Sequence, residues 1–272
     1  MLWPITIIVL TALFSLLYRL INTNPWMLFL WIPLAIITTL ILTVILIYFV
    51  TIPLIFKLKE SNKFRAFLTY QTTSFILPIA KIKIKVTGRE NLVKETNVMY
   101  VSNHKSLIDP VFVFHATRRP CSTAGKVEIW KDLKFLSFLF KKIDVLTIDR
   151  DDDRKAVKEI LRGVEKLKNN KSVLIFTEGG IKTREVEQMV DIKAGAYKLA
   201  TKSDAIIQPL AIHGNSKVET TKGKKKILVE ILKPIYPEEY QNLNTHEIGE
   251  MVLNIVNEHF QDEPKYELKE EN

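Results

Sequence analysis

The first 56 residues carry a single charged side chain, Arg19, and every other charge in the chain follows Phe56. That places 38 of the 39 basic residues and all 30 acidic ones between Lys57 and Asn272. A chain divided in this way does not fold as one water-soluble globule, because its head has nothing polar to turn toward water. Met1 to Ile21 and Trp26 to Phe56 are apolar runs, each longer than the ~20 residues a helix needs to cross ~30 Å of hydrocarbon. Asn22-Thr23-Asn24-Pro25 between them is a compact turn signal, so two helices return the chain to the side where it began. Trp3, Trp26, Trp31 and Tyr48 suit headgroup depth, and Lys57, Lys59, Lys63 and Arg65 after the second run place the body on the cytoplasmic side by the positive-inside tendency. A signal peptide would have a basic leader and a small-residue cleavage site, and the first run has neither. Pro33 and Pro53 leave two arrangements open, a pair of full spans and a re-entrant hairpin in one leaflet.

This division reconciles a hydrophobic content of 47% with a net charge of +9. The surplus of base on the body suits anionic lipid or a phosphorylated ligand, and equally a solvated surface. No basic-aromatic repeat or nucleic-acid motif accompanies it, so nucleic acid is not expected as a partner. Cys121 is the single cysteine, which excludes an intrachain disulfide and a Cys-based zinc cluster and fits a reducing compartment.

The body alternates strand and helix patterns. Residues 57–80 read as an amphipathic connector lying along the membrane, with Phe64, Phe67, Leu68 and Phe75 at helical spacing. Lys81 to Thr87 alternates basic and apolar residues, the period of a half-exposed edge strand near headgroups, and ends at Gly88. Strands are expected at Val98 to Val101, Ser122 to Ala124, Val145 to Ile148, Ser172 to Phe176, Ala205 to Ile212 and Ile227 to Leu232. Helices are expected from Pro110, over Glu128 to Lys142, after Asp151-Asp152-Asp153, over Ala194 to Lys202 and over His246 to Phe260. The three aspartates read as a cap and first turn, with a metal site as the sharper alternative. This order predicts an α/β fold in which a mostly parallel sheet is flanked by helices and preceded by an N-terminal two-helix membrane hairpin. The expected division is a hairpin at 1–56, the connector at 57–80, an α/β domain at 81–260 and a charged tail at 261–272.

The chemistry-bearing stretch is Val98 to Pro110. An apolar strand delivers His104 and Asp109, five residues apart, onto the turn that follows it. Asp before Pro starts helices, so Asp109 reads as an N-cap with Pro110 in the first turn, which puts His104 on the connecting loop. An imidazole there can take a proton from a hydroxyl if a carboxylate fixes its tautomer, and Asp109 is within reach in sequence. The plainer alternative is a capping aspartate and a polar loop histidine. Gly-x-Gly-x-x-Gly, a Walker loop, a Gly-x-Ser-x-Gly elbow and His-Glu-x-x-His are all absent from the sequence, so nucleotide, serine-hydrolase and zinc-protease readings lose their usual support.

Asn103-His104-Lys105-Ser106-Leu107-Ile108-Asp109 resembles the first signature of the 1-acylglycerol-3-phosphate acyltransferase family of glycerolipid acyltransferases. Later stretches, between about Val86 and Gly214, resemble its other signatures in order. Asp149-Arg150 is similar to the second signature, whose basic residue holds the acceptor's phosphate, and Ala124-Gly125-Lys126 resembles a pattern whose lysine lines the same pocket. Phe176-Thr177-Glu178-Gly179-Gly180-Ile181-Lys182 is similar to the third, Phe-Pro-Glu-Gly-Thr-Arg-Ser, in Phe, Glu and the first Gly. Ile181 stands where the family has arginine, and Lys182 or Arg184 are the bases near enough to replace it. Ile207 to Gly214 looks like the fourth signature, with His213 expected to be structural.

The resemblance implies direct acyl transfer with His104 as general base and Asp109 as its orienting carboxylate. Lys126, Arg150, Glu178, Gly179, Lys182 and Arg184 are then expected to bind the acceptor, and backbone N–H groups of the Glu178 to Gly180 loop to receive the thioester oxygen. No metal and no cofactor is implied. Acyl-CoA or acyl carrier protein is the thioester co-substrate, a lysophospholipid the acceptor, and membrane lipid the surroundings. Trp130, Leu133, Phe135, Leu136, Phe138 and Leu139 are expected either to wall an acyl groove or to pack in the core. The altered third signature keeps two rivals in play: an acyltransferase for another lysophospholipid or a glycolipid, and an inactive membrane-anchored lipid-binding protein.

Overall fold

A computed structural model of the chain describes residues 2–21, 24–126, 145–148 and 153–260. The helix expected over Glu128 to Lys142, with its groove residues, lies outside these ranges. So do Asp149, Arg150, the first two aspartates of the triplet and the tail from Gln261.

Helix α1 (Leu2–Ile21) packs along α2 (Leu28–Leu46), which continues through a π-helical turn at Ile47–Thr51 into α3 (Ile52–Lys57). The wide turn falls just before Pro53, whose ring nitrogen has no hydrogen to give the preceding turn. Ala35, Thr39, Thr43 and Ile47 are buried at four-residue intervals, a stripe of mostly small side chains that lets the two helices approach closely. Most of the remaining surface is exposed or half-buried and apolar, and both helices are long and apolar enough to cross a membrane by length and composition. The hairpin begins and ends against the body: the Leu2 N–H donates to Gln71 Oε1 at 2.8 Å, Trp3 packs beside Phe75, and Phe56 sits edge-on to Phe114.

Helix α4 (Lys63–Ile79) starts at Asn62, whose side chain accepts from the Phe64 and Arg65 N–H groups. Its buried face is Arg65, Leu68, Thr69, Thr72, Thr73 and Leu77, while Phe64 and Phe67 stand exposed. The expected connector is therefore a packed layer of the domain, with its more polar face turned inward. The buried Arg65 guanidinium donates to the Pro120 carbonyl, and Thr73 meets His115.

The described residues form a seven-stranded sheet in the order β1-β7-β6-β2-β5-β3-β4. The strands are β1 (Ile82–Thr87), β2 (Val98–Ser102), β3 (Ser122–Lys126), β4 (Leu146–Ile148), β5 (Val173–Ile175), β6 (Ile206–His213) and β7 (Lys225–Ile231). All neighbours are parallel except β6 and β7. Strand β2 is wholly buried; Met99 and Val101 enter one core cluster, and Val98 and Tyr100 enter the other. Both faces are covered, which is why its sequence reads as an unbroken apolar run. Pro209 is tolerated inside β6 because that strand changes partner there, from Ile235 to β7, and Pro209 contributes only its carbonyl, which accepts from Leu232 N–H.

Helix α5 (Asp109–Thr117) corrects one expectation. Ile108 occupies the cap, and the Asp109 carboxylate turns back to the preceding loop rather than capping the helix. The helix expected over Ala194 to Lys202 opens as a 3-10 turn, Ala194–Tyr197, before one α-turn, Lys198–Thr201. A four-residue helix, Pro237–Tyr240, was not anticipated.

Candidate active site

The loop after β2 is fixed first by Asn103. Its buried amide accepts from Ile212 N–H at 2.9 Å and donates to the carbonyls of Ile212 and Glu187, both at 2.8 Å. This ties the end of β2 to its neighbour β6 and leaves the next residue, His104, at the carboxyl edge of the sheet, where open α/β sheets bind ligands.

His104 Nδ1 lies 2.9 Å from Asp109 Oδ2. An ionised carboxylate only accepts, so Nδ1 carries the hydrogen and the Nε2 lone pair is left for an incoming proton. The same Asp109 oxygen accepts the Lys105 and Ser106 N–H groups at 2.8 and 2.9 Å, and Oδ1 accepts from Asn215 Nδ2 at 3.1 Å. The imidazole stacks on Phe176, centroids 4.1 Å apart and planes 15° apart. Ring plane, ring rotation and carboxylate are thus each constrained by a different element.

Glu178 is fully buried. Oε1 accepts the His104 N–H at 2.9 Å, and Oε2 accepts from Lys105 Nζ at 3.0 Å and Val190 N–H at 3.2 Å. Its oxygens are engaged inside the protein rather than offered to an acceptor. Gly179 and Gly180 follow with φ of 75° and 134°, backbone that L side chains rarely adopt, so the turn leaving β5 depends on them. The Gly179 N–H donates to the Phe176 carbonyl, which takes it out of the expected set of donors to the thioester oxygen.

Beside this loop Glu219 Oε1 accepts from the Ser106 hydroxyl and the Leu107 N–H, while Arg184 Nε donates to the Lys105 carbonyl at 3.0 Å and lies 3.6 Å from Glu219 Oε2. Of the two bases expected to replace the missing arginine, Arg184 is therefore tied to the His104 loop. Lys182 points to Asp191, 3.3 Å away, and shares that oxygen with Lys193 at 2.8 Å. The two ammonium groups, Lys193 first, hold the Asp191 carboxyl below its ordinary value. Lys126 ends β3, and Arg150 lies outside the described residues. His213 pairs with Glu230 at 2.9 Å, as does His259 at 3.2 Å, and these contacts, His213 foremost, keep Glu230 readily ionised.

His104 opens onto a cavity of about 970 Å³. Its walls are mostly apolar: Ile175 and Phe176 from the end of β5, Gly179 to Ile181 from the loop, and Val157, Ile160 and Leu161 from the helix Asp153–Lys168. Sequence reasoning assigned no role to Lys105, Asn215 or Glu219. Asn215 follows directly on the fourth stretch singled out, which is its only local signal. Lys105 lies inside the first such stretch, and Glu219 carries no local signal.

Comparison with known proteins shows what this chain is similar to. The family model described as Acyltransferase matches residues 83–213, a range that includes every residue of the His104 loop. The 1-acyl-sn-glycerol-3-phosphate acyltransferase of Saccharomyces cerevisiae is 29% identical over 179 residues, covering 64% of this chain and 57% of that protein. The protein of the same name from Borreliella burgdorferi is 27% identical over 138 residues, covering 51% and 54%. The chain thus spans little more than half the length of these relatives. A crystal structure of the 1-acyl-sn-glycerophosphate acyltransferase PlsC from Thermotoga maritima has the same fold, with a TM-score of 0.57 at 19% identity over 72% of this chain and 79% of that one.

Proposed function

We propose that this chain, which resembles the 1-acyl-sn-glycerol-3-phosphate acyltransferases named above, acylates the free hydroxyl of 1-acylglycerol-3-phosphate from a thioester donor, giving phosphatidic acid. The observation that carries this reading is the 2.9 Å contact of His104 Nδ1 with Asp109, which leaves Nε2 as the base at the mouth of an apolar cavity.

In the proposed reaction His104 Nε2 takes the hydroxyl proton as the acceptor oxygen attacks the thioester carbonyl. The tetrahedral adduct collapses, the C–S bond breaks, and the imidazolium returns its proton to the leaving thiolate. Asp109 steadies the cation between the two transfers. General-base help of this kind contributes about a hundred- to ten-thousandfold, so holding the two lipids together must supply much of the remainder. The apolar cavity suits an acyl chain, and Arg184, tied to the His104 loop, would meet the acceptor's phosphate. The hairpin would keep the domain at the cytoplasmic face of the bilayer, in the layer where both substrates dissolve.

A second reading draws on Ile181, which lines the cavity and stands where the resemblance to the third signature implies an arginine. It keeps the chemistry and exchanges the acceptor for one without a terminal phosphate. Both are tested by offering the purified chain in vesicles labelled acyl-CoA or acyl carrier protein thioester with lysophosphatidate, other lysophospholipids and glycolipids. Transfer to lysophosphatidate that disappears in His104→Ala is the expected result. Activity retained in His104→Ala overturns the base, and transfer confined to phosphate-free acceptors selects the second reading.

A further inference from the structure

We propose that Lys105 is a positioning residue for the general base: its buried ammonium pairs with Glu178, whose other oxygen fixes the backbone of His104. This rests on the acyl-transfer reading and reassigns Glu178 from the acceptor to the catalytic loop.

Lysine is rarely buried, and here both Lys105 and Glu178 have side chains that are 0% exposed, with Nζ and Oε2 3.0 Å apart. A charge so enclosed persists only when paired and hydrogen-bonded. Glu178 Oε1 accepts the N–H of His104 itself, and Oε2 also accepts the Val190 N–H, so one carboxylate joins the His104 loop, the end of β5 and the segment before Asp191. Lys105 is anchored in turn through its own backbone, donating to Asp109 and accepting from Arg184. Phe176, two residues before Glu178, carries the imidazole on its ring face. The end of β5 therefore sets both the plane of the imidazole and the height of its backbone, while Asp109 sets its rotation. A reacting group must be held within about 0.5 Å of its productive place, a tolerance that needs all three constraints.

With the cation removed, the carboxylate is left buried and unpaired and must move toward water or take up a proton, and either loosens the bond to His104. Removing both charges together leaves an amide oxygen that still accepts the His104 N–H. The test compares wild type, Lys105→Met, Glu178→Gln and the double variant in acyl transfer to lysophosphatidate in vesicles, with thermal midpoints measured alongside. Each single variant is expected to lose tenfold or more in kcat with acceptor KM within twofold of wild type. The double variant is expected to recover kcat to within fivefold. If a single variant fails to fold, the uncharged double variant decides alone. Glu178→Gln raising acceptor KM tenfold with kcat intact would return Glu178 to the acceptor and overturn the proposal. So would a double variant no faster than Lys105→Met. Absence of transfer in wild type itself overturns the acyl-transfer reading, and this inference with it.

Discussion

Asn215 donates its side-chain amide to Asp109 Oδ1 across 3.1 Å, from 106 residues further along the chain. Both side chains are fully buried. Asp109 thus has one oxygen for the imidazole and the loop and the other for Asn215. The carboxylate cannot rotate without breaking that second bond. A hydrogen bond to a buried charge is worth about 1.5–3 kcal/mol, so Asn215→Ala is expected to lower kcat by about ten- to a hundredfold with little change in acceptor KM. Steady-state kinetics against lysophosphatidate check this, and an unchanged kcat would show that Asp109 is held adequately without it.

Arg184 gives a prediction that separates binding from chemistry. Its Nε is engaged with the Lys105 carbonyl, and its side chain is 36% exposed beside the His104 loop. Arg184→Gln is expected to raise KM for lysophosphatidate about tenfold and to leave any transfer to phosphate-free acceptors within twofold, since a charge-assisted contact to phosphate is lost while the glutamine amide can still donate to the Lys105 carbonyl. Equal loss on both acceptor classes would make Arg184 a brace for the loop.

Much of this architecture was legible in the sequence, and the limits follow from topology. The period of each strand, the apolar run of β2 and the His104 to Asp109 spacing are local, and they give the order of elements and the position of the site. Asn215 and Glu219 reach the site because β6 lies beside β2 in the sheet, a neighbourhood decided by packing among distant segments. Nothing local to Lys105 says that it is buried; the neighbouring strand β5 leads to the glutamate that pairs with it. In α4 the helical period was visible, but the period does not say which face turns inward. The apolar hairpin lies alongside, and Phe64 and Phe67 face outward while threonines and Arg65 pack on the domain.

Gly214 supports the site from below. Its φ is 77°, and a Cβ there would lie 2.3 Å from the Lys226 carbonyl oxygen of the neighbouring strand. Its N–H donates to Glu187 Oε1 at 2.7 Å, and the Glu187 carbonyl accepts from Asn103. Gly214→Ala combines a left-handed backbone with a clash against main chain that has little room to give, so a loss of about 3 kcal/mol in stability is expected. Denaturant midpoints measure it, and a loss under about 1 kcal/mol would mean that β7 moves aside freely.

His115 links stability to pH. It lies between α4 and α5, with Nδ1 2.9 Å from the Thr73 hydroxyl, its ring against Tyr70, and Arg89 and Arg118 as the nearby charges. Burial first, then those two guanidinium groups, lowers its pKa from 6.5 to about 4. The folded protein therefore binds fewer protons at this site than the unfolded chain between those values. Stability from neutral His115 is fully present above pH 6.5 and drains away as pH falls toward 4. At about 1.4 kcal/mol per unit, the loss reaches about 3 kcal/mol at the bottom of that window. Other groups titrate there too, so the comparison is with His115→Gln, which keeps a partner for Thr73 and cannot take a proton. Its unfolding free energy, measured in detergent from pH 7.5 to 4.5, should fall less steeply than that of wild type. Parallel slopes would show that His115 accepts its proton in the folded state without cost.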